Sequence, residues 1–138
     1  MHYVNWLGVI LATLSSVVVG MIWYSRLVFG KPWMKLAKLT EAKIKDFSMT
    51  AMGISVCMAF LTASVLAHVT SVVSKVYTDQ PFFLNAILCG FLLWLGFTAA
   101  RIVTHDTYEQ RPIALMFITI SYELVAISVM AIIIGLIP

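Results

Sequence analysis

The chain has 138 residues, 62% of them hydrophobic and 11% charged, with a formal net charge of +3. Soluble domains run at about 45–50% apolar and about 25% charged, so this composition excludes an ordinary soluble domain and leaves one compact membrane domain. The small positive excess does not point to nucleic acid, because the lysines and arginines gather mostly in one loop, which is a topology signal.

The first hydrophobic stretch runs from about Asn5 to Tyr24. No basic segment precedes Trp6 and no cleavage site follows, so it is expected as a retained span and not as a signal peptide. Gly8, Ala12, Ser16 and Gly20 recur at every fourth position, one continuous stripe down a helix. Small residues let helix backbones approach closely in lipid, where dispersion replaces the hydrophobic drive, so the stripe is expected to be a packing face. The stretch ends in an aromatic and basic group. Trp23, Tyr24, Arg26 and Trp33 are expected to anchor at the membrane interface, with Arg111 doing the same later in the chain. Gly30 suits a turn and Pro32 the first turn of a new helix.

From Pro32 to Phe47 the pattern is amphipathic. Trp33, Leu36, Ala37, Ile44 and Phe47 share one face, and Lys35, Lys38, Glu41, Lys45 and Asp46 occupy the rest. Thr40 is placed as an N-cap between Leu39 and Ile44, a hydrophobic staple. The segment 32–47 is therefore expected as a short interfacial helix broken near Thr40, resting on anionic lipid. VNWLGVI, followed by GMIWYSRLVFGKPWMKLAKLTEAKI, resembles a family of small bacterial membrane proteins known as a domain of unknown function. The matching positions are Asn5, Trp6, Gly20, Trp23, Tyr24, Phe29, Gly30 and Trp33, and a weaker likeness continues through the last span. The resemblance implies a four-span bundle and no particular activity.

The second stretch runs from about Met49 to Val73, with Ala51, Ser55, Ala59, Ala63 and Ala67 as a second stripe at every fourth residue. It is the natural partner of the first, within the chain or in an oligomer. His68, near the outer end, is either a helix-terminal hydrogen-bonding residue or a proton-transfer partner for Glu123. The third stretch runs from about Phe82 to Val103, and a loop RIVTHDTYEQRP follows. His105, Asp106 and Glu109 there lack a metal-ligand spacing, so no metal is expected. Cys57 and Cys89 fall inside hydrophobic runs at different depths, too far apart for the ~7 Å Cα separation of a disulfide. Both are expected as buried free thiols.

The fourth stretch, Ile113 to Leu136, carries one ionisable residue, Glu123, near its middle. A run of this length spans about 30 Å of hydrocarbon. A carboxylate at that depth costs about 2.5–3.5 kcal/mol on insertion scales and so turns toward protein or water. Burial disfavours the charged form, so Glu123 is expected to hold its proton at neutral pH. Thr119, Glu123, Ala126 and Met130 share one face, with Tyr122 beside it.

The expected fold is all-α: a four-transmembrane-helix bundle with a short amphipathic interfacial helix between spans one and two, in one domain covering 1–138. Basic residues favour loops one and three, so both termini are expected outside a bacterial cytoplasmic membrane. No phosphate-binding glycine loop, nucleophilic triad or cofactor motif is present, and no catalytic residue, enzymatic activity or cofactor is expected. The partners are the lipid bilayer and either a second copy of the chain or another membrane protein. Two functions follow. Every strong motif concerns packing and anchoring, which favours an accessory or scaffold protein. The alternative is a small proton-coupled transporter or channel built on Glu123, by analogy with small four-span multidrug transporters that carry their membrane acid in the first span. The two separate on whether a water-reachable cavity meets Glu123.

Overall fold

The computed structural model describes residues 4–45 and 49–138, and Asp46 and Phe47 of the amphipathic pattern lie outside them. The chain is helical: α1 (Trp6–Trp23), α2 (Gly30–Leu36), α3 (Glu41–Lys45), α4 (Met49–Val76), α5 (Phe82–Leu93), a π-helical segment (Trp94–Ala99), α6 (Ala100–Tyr108) and α7 (Ile113–Leu136). Among the described residues, four helices are long and apolar enough to cross a membrane: α1, α4, the continuous run Phe82–Tyr108, and α7.

Local chemistry sets the ends. Asn5 caps α1, its side chain accepting from the Leu7 N–H at 3.0 Å. After Trp23 the chain turns sharply, and the Gly30 N–H donates to the Ser25 carbonyl at 2.8 Å. α2 closes in a Schellman motif, with the Leu39 N–H on the Met34 carbonyl and the Lys38 N–H on that of Lys35. Lys38 takes the left-handed conformation this requires, with φ of 54°. Thr40 then starts α3, its hydroxyl accepting from the Lys43 N–H at 3.4 Å. A 2.6 Å ion pair from Arg26 to Glu41 ties α3 to the turn after α1.

The third span departs from its sequence reading. RIVTHDTY is helix and not loop, so the helical run continues to Tyr108. Its polar residues satisfy themselves on the helix: Thr104 donates to the Ala100 carbonyl at 2.9 Å and Thr107 to that of Val103 at 2.6 Å. The run ends in a second Schellman motif at Gln110, also at φ of 54°. Arg111 folds back there on Glu109 (2.6 Å) and on the buried Asp106 (3.8 Å).

α1 and α5 both pack against α4 and α7, which gives a four-cornered bundle. Its core sits at one end. The buried residues of α1 are Gly8, Val9, Ala12, Thr13 and Ser16, in its first two thirds, and those of α5 are Asn85, Ala86, Cys89 and Gly90. α4 buries Ala63, Leu66, Ala67, Thr70 and Ser71, all in its second half. α7 buries Ala126, Ile127, Met130, Ala131, Ile134 and Gly135, with Leu115 apart from them near its start. Neighbouring helices run antiparallel, so these segments meet at the end that holds the termini and the loop between α4 and α5. There the Asn5 side chain donates to the terminal Pro138 carbonyl at 3.4 Å, and buried Asn85 donates to Ser74 at 3.2 Å. At the opposite end the first half of α4 buries no residue fully. The helices part there, and a cavity takes the place of a core.

Candidate functional site: an intramembrane cavity at Glu123

The cavity has a volume of about 740 Å³ and lies between α1, α4, the π-helical segment and α7, with Trp33 of α2 and Ile44 of α3 at its edge. Glu123 and Tyr122 line it from α7, Ser16, Gly20 and Tyr24 from α1, and Thr98 from the π-helical segment. α4 contributes Ala51, Ser55, Ala59 and Thr62. This size falls within the ~300–1,000 Å³ of small-molecule sites, which are mostly apolar with a few placed polar groups.

Glu123 lies ten residues into α7, about 15 Å along its axis at 1.5 Å per residue. Among the described residues, no hydrogen bond or ion pair engages its carboxyl group, and no lysine, arginine or histidine lines the cavity. The acid therefore faces the cavity with its bonding capacity open.

Aromatic residues frame it. Tyr24 sits between Trp33 and Tyr122, its ring tilted by 55° and 57° against theirs with centroids 4.8 and 5.1 Å apart. The Tyr122 hydroxyl sits against α1 at Gly20, where a Cβ would lie 3.2 Å from it, so glycine makes the room for that ring. Two indoles brace the turn of α7 before Glu123: Trp23 donates to the Ile118 carbonyl at 3.3 Å and Trp94 to the Ile120 carbonyl at 3.2 Å. Trp94 opens the π-helical segment. Such segments are uncommon and concentrate at functional sites, because the widened turn re-aims side chains; here it brings Thr98 to the cavity.

The sequence-derived candidates divide across this site. Glu123, Tyr122, Ala126 and Met130 line it together. Thr119 is half-buried on the same helix and spends its hydroxyl on the Leu115 carbonyl at 3.1 Å. His68 does not join Glu123: it is exposed in the second half of α4, bonded to its own helix at the Ser64 carbonyl (2.7 Å) and set against Trp6. Both small-residue stripes split. Gly8, Ala12, Ser16, Ala63 and Ala67 are buried, whereas Gly20, Ala51 and Ala59 are half-buried and Ser55 is exposed. A stripe packs only as far as its helix stays with its neighbours, and α4 leaves the bundle at its first half.

Three residues read as interface anchors have inward roles: Trp23 bonds α7, while Tyr24 and Trp33 form the aromatic wall. Arg26 and Arg111 are exposed and ion-paired. Cys57 is exposed and only Cys89 is buried, because Cys57 lies on the part of α4 that has left the core. Sequence reasoning missed Thr98 and the brace from Trp94. The tryptophan was visible, but nothing in WLGFTA marks a π-helical turn.

No curated protein and no solved structure matches this chain. A model of the family described as "Protein of unknown function (DUF1761)" matches residues 7–135, nearly the whole chain, and the protein belongs to that family.

Proposed function

We propose that this protein is a small membrane carrier that binds an amphipathic molecule in the Glu123 cavity and exchanges it for the carboxyl proton. The observation that carries this reading is the meeting of one open carboxyl group with a cavity of about 740 Å³. A scaffold needs packing surface and has no use for a carboxyl group facing an open space, which costs insertion energy. The small residues that argued for a scaffold are largely occupied within the chain: Gly8, Ala12, Ser16, Ala63 and Ala67 are buried by its own helices.

In this reading the chain lies in a bacterial cytoplasmic membrane with both termini outside, because basic residues favour the loop after α1 and the loop before α7. The packed end is then the outer end, and the cavity lies toward the cytoplasm. The splayed first half of α4, which buries no residue fully, is the part that moves as substrate enters.

A membrane-soluble carbodiimide tests the site. It reacts with protonated carboxyl groups reachable from lipid or cavity, and peptide mass spectrometry locates the adduct. Adduct at Glu123, lost in Glu123→Gln, is the expected result. A Glu123 peptide left unmodified at saturating reagent would overturn the reading.

A further inference from the structure

The walls of the cavity narrow the class of molecule it takes. We infer that the ligand is a lipophilic organic cation, an ammonium or phosphonium bearing apolar groups, held between Glu123 and the aromatic row Trp33–Tyr24–Tyr122. This rests on the reading of the cavity as a ligand site and goes beyond it by fixing the sign of the ligand's charge.

Three observations lead there. The first is the charge count. Glu123 is the acid of the cavity, and among the described residues no basic side chain lines it from α1, α2, α3, α4, the π-helical segment or α7. The other titratable groups facing it are the phenols of Tyr24 and Tyr122. A buried carboxylate needs a positive partner, and none of the described residues that line the cavity provides one, so a cationic ligand would. The second is the aromatic row, whose rings contact one another at tilted angles of 55° and 57° with centroids 4.8 and 5.1 Å apart, and which ends on Tyr122, next in sequence to Glu123. Aromatic faces attract cations, and quaternary ammonium groups in particular, through the ring quadrupole. The third is the remaining lining. Met21, Met52, Met58 and Met130 are flexible, polarisable side chains that adapt to apolar groups of differing shape. An anion would meet the carboxylate with no compensating cation, and a neutral molecule would leave the charge count unchanged.

The binding step balances simply. The carboxyl O–H bond of Glu123 breaks, its proton leaves to water, and the ligand's positive charge stands where the proton's charge was. No electron is transferred. Binding therefore releases one proton per cation and tightens as pH rises through the range in which Glu123 ionises.

The test uses the full chain in lipid nanodiscs and three probes of similar size: tetraphenylphosphonium, triphenylphosphine oxide and tetraphenylborate. Tryptophan fluorescence reads binding, and a pH indicator in weak buffer reads proton release. The expected result is saturable tetraphenylphosphonium binding with one proton released. Binding is lost in Glu123→Gln and weakened roughly two- to thirtyfold in Trp33→Ala, the range of cation–π contributions. Trp33 lies outside the four long helices, so its variant tests the site even if the Glu123 variant folds poorly; circular dichroism checks both. Saturable binding of the neutral oxide with none of the phosphonium would overturn the cation assignment and leave the cavity reading standing. Binding of none of the three would overturn the assignment, and paired with an unmodified Glu123 in the carbodiimide experiment it would remove the site as well. Phosphonium binding equal in wild type and Glu123→Gln would refute the carboxylate as its partner.

Discussion

Gly30 holds the aromatic row in place, and its replacement gives the sharpest structural prediction. A Cβ at Gly30 would stand 2.5 Å from the Tyr24 carbonyl oxygen and 2.6 Å from that of Ser25. Both neighbours are backbone, so neither moves aside as a side chain would. The turn also resists opening, because the Gly30 N–H donates to the Ser25 carbonyl at 2.8 Å. Overpacking of this kind costs about 1–3 kcal/mol, and a lost hydrogen bond costs about 1 kcal/mol more. Alanine's better helix propensity at the first residue of α2 returns at most about 1 kcal/mol. Gly30→Ala is therefore expected to lose about 1–3 kcal/mol and to shift the Trp33 emission as that ring leaves Tyr24. Gly53, in the open half of α4, is the control: a Cβ added there would meet no neighbouring atom within 4 Å, so Gly53→Ala is expected to gain about 0.5–1 kcal/mol. Unfolding in mixed micelles of mild and denaturing detergent, followed by circular dichroism, measures both. A Gly30→Ala protein as stable as wild type, with unshifted emission, would show that the turn tolerates a side chain and refute the assignment of Gly30 as its constraint.

Trp94→Phe removes the indole N–H that reaches the Ile120 carbonyl, so a loss of about 1 kcal/mol in the same assay is expected, and no loss would mean that the brace is idle. A lipophilic maleimide should label the exposed Cys57 quickly and the buried Cys89 slowly in the folded protein; equal rates would contradict the one-ended core. For topology, single cysteines at Lys38 and Asp79 in a background without Cys57 and Cys89 are treated with an impermeant thiol reagent on whole cells. Labelling at 79 and not at 38 is expected, and the reverse would invert the orientation.

The fold class was legible because the hydrophobic runs are long and the breaks between them polar. The site was legible only in part. Glu123 stood out as the lone acid of an apolar run, but its surroundings did not. Tyr24 and Trp33 carry the same amphipathic rings whether they lie at the headgroups or against a neighbouring helix. Which of these occurs depends on the turn at Gly30, which brings α2 back onto α7. The stripe Ala51–Ala67 gave the register of one face of α4 and said nothing of where that helix leaves its neighbours. RIVTHDTY read as loop because it is polar, yet a helix end beyond the apolar zone is free to be polar when its threonines bond their own backbone. The π-helical turn left no trace at all, since WLGFTA carries no residue pattern that marks one.

The central claim is that Glu123 exchanges its proton through a cavity that water reaches, and infrared difference spectroscopy tests it most directly. The protein in lipid is titrated from about pH 4 to about pH 10, in H2O and in D2O, with Glu123→Gln as the reference. The expected spectrum has a protonated carboxyl band that shifts in D2O, gives way to a carboxylate band as pH rises, and is missing in Glu123→Gln. A Glu123 band that neither shifts in D2O nor changes with pH would show a sealed structural acid and contradict the claim.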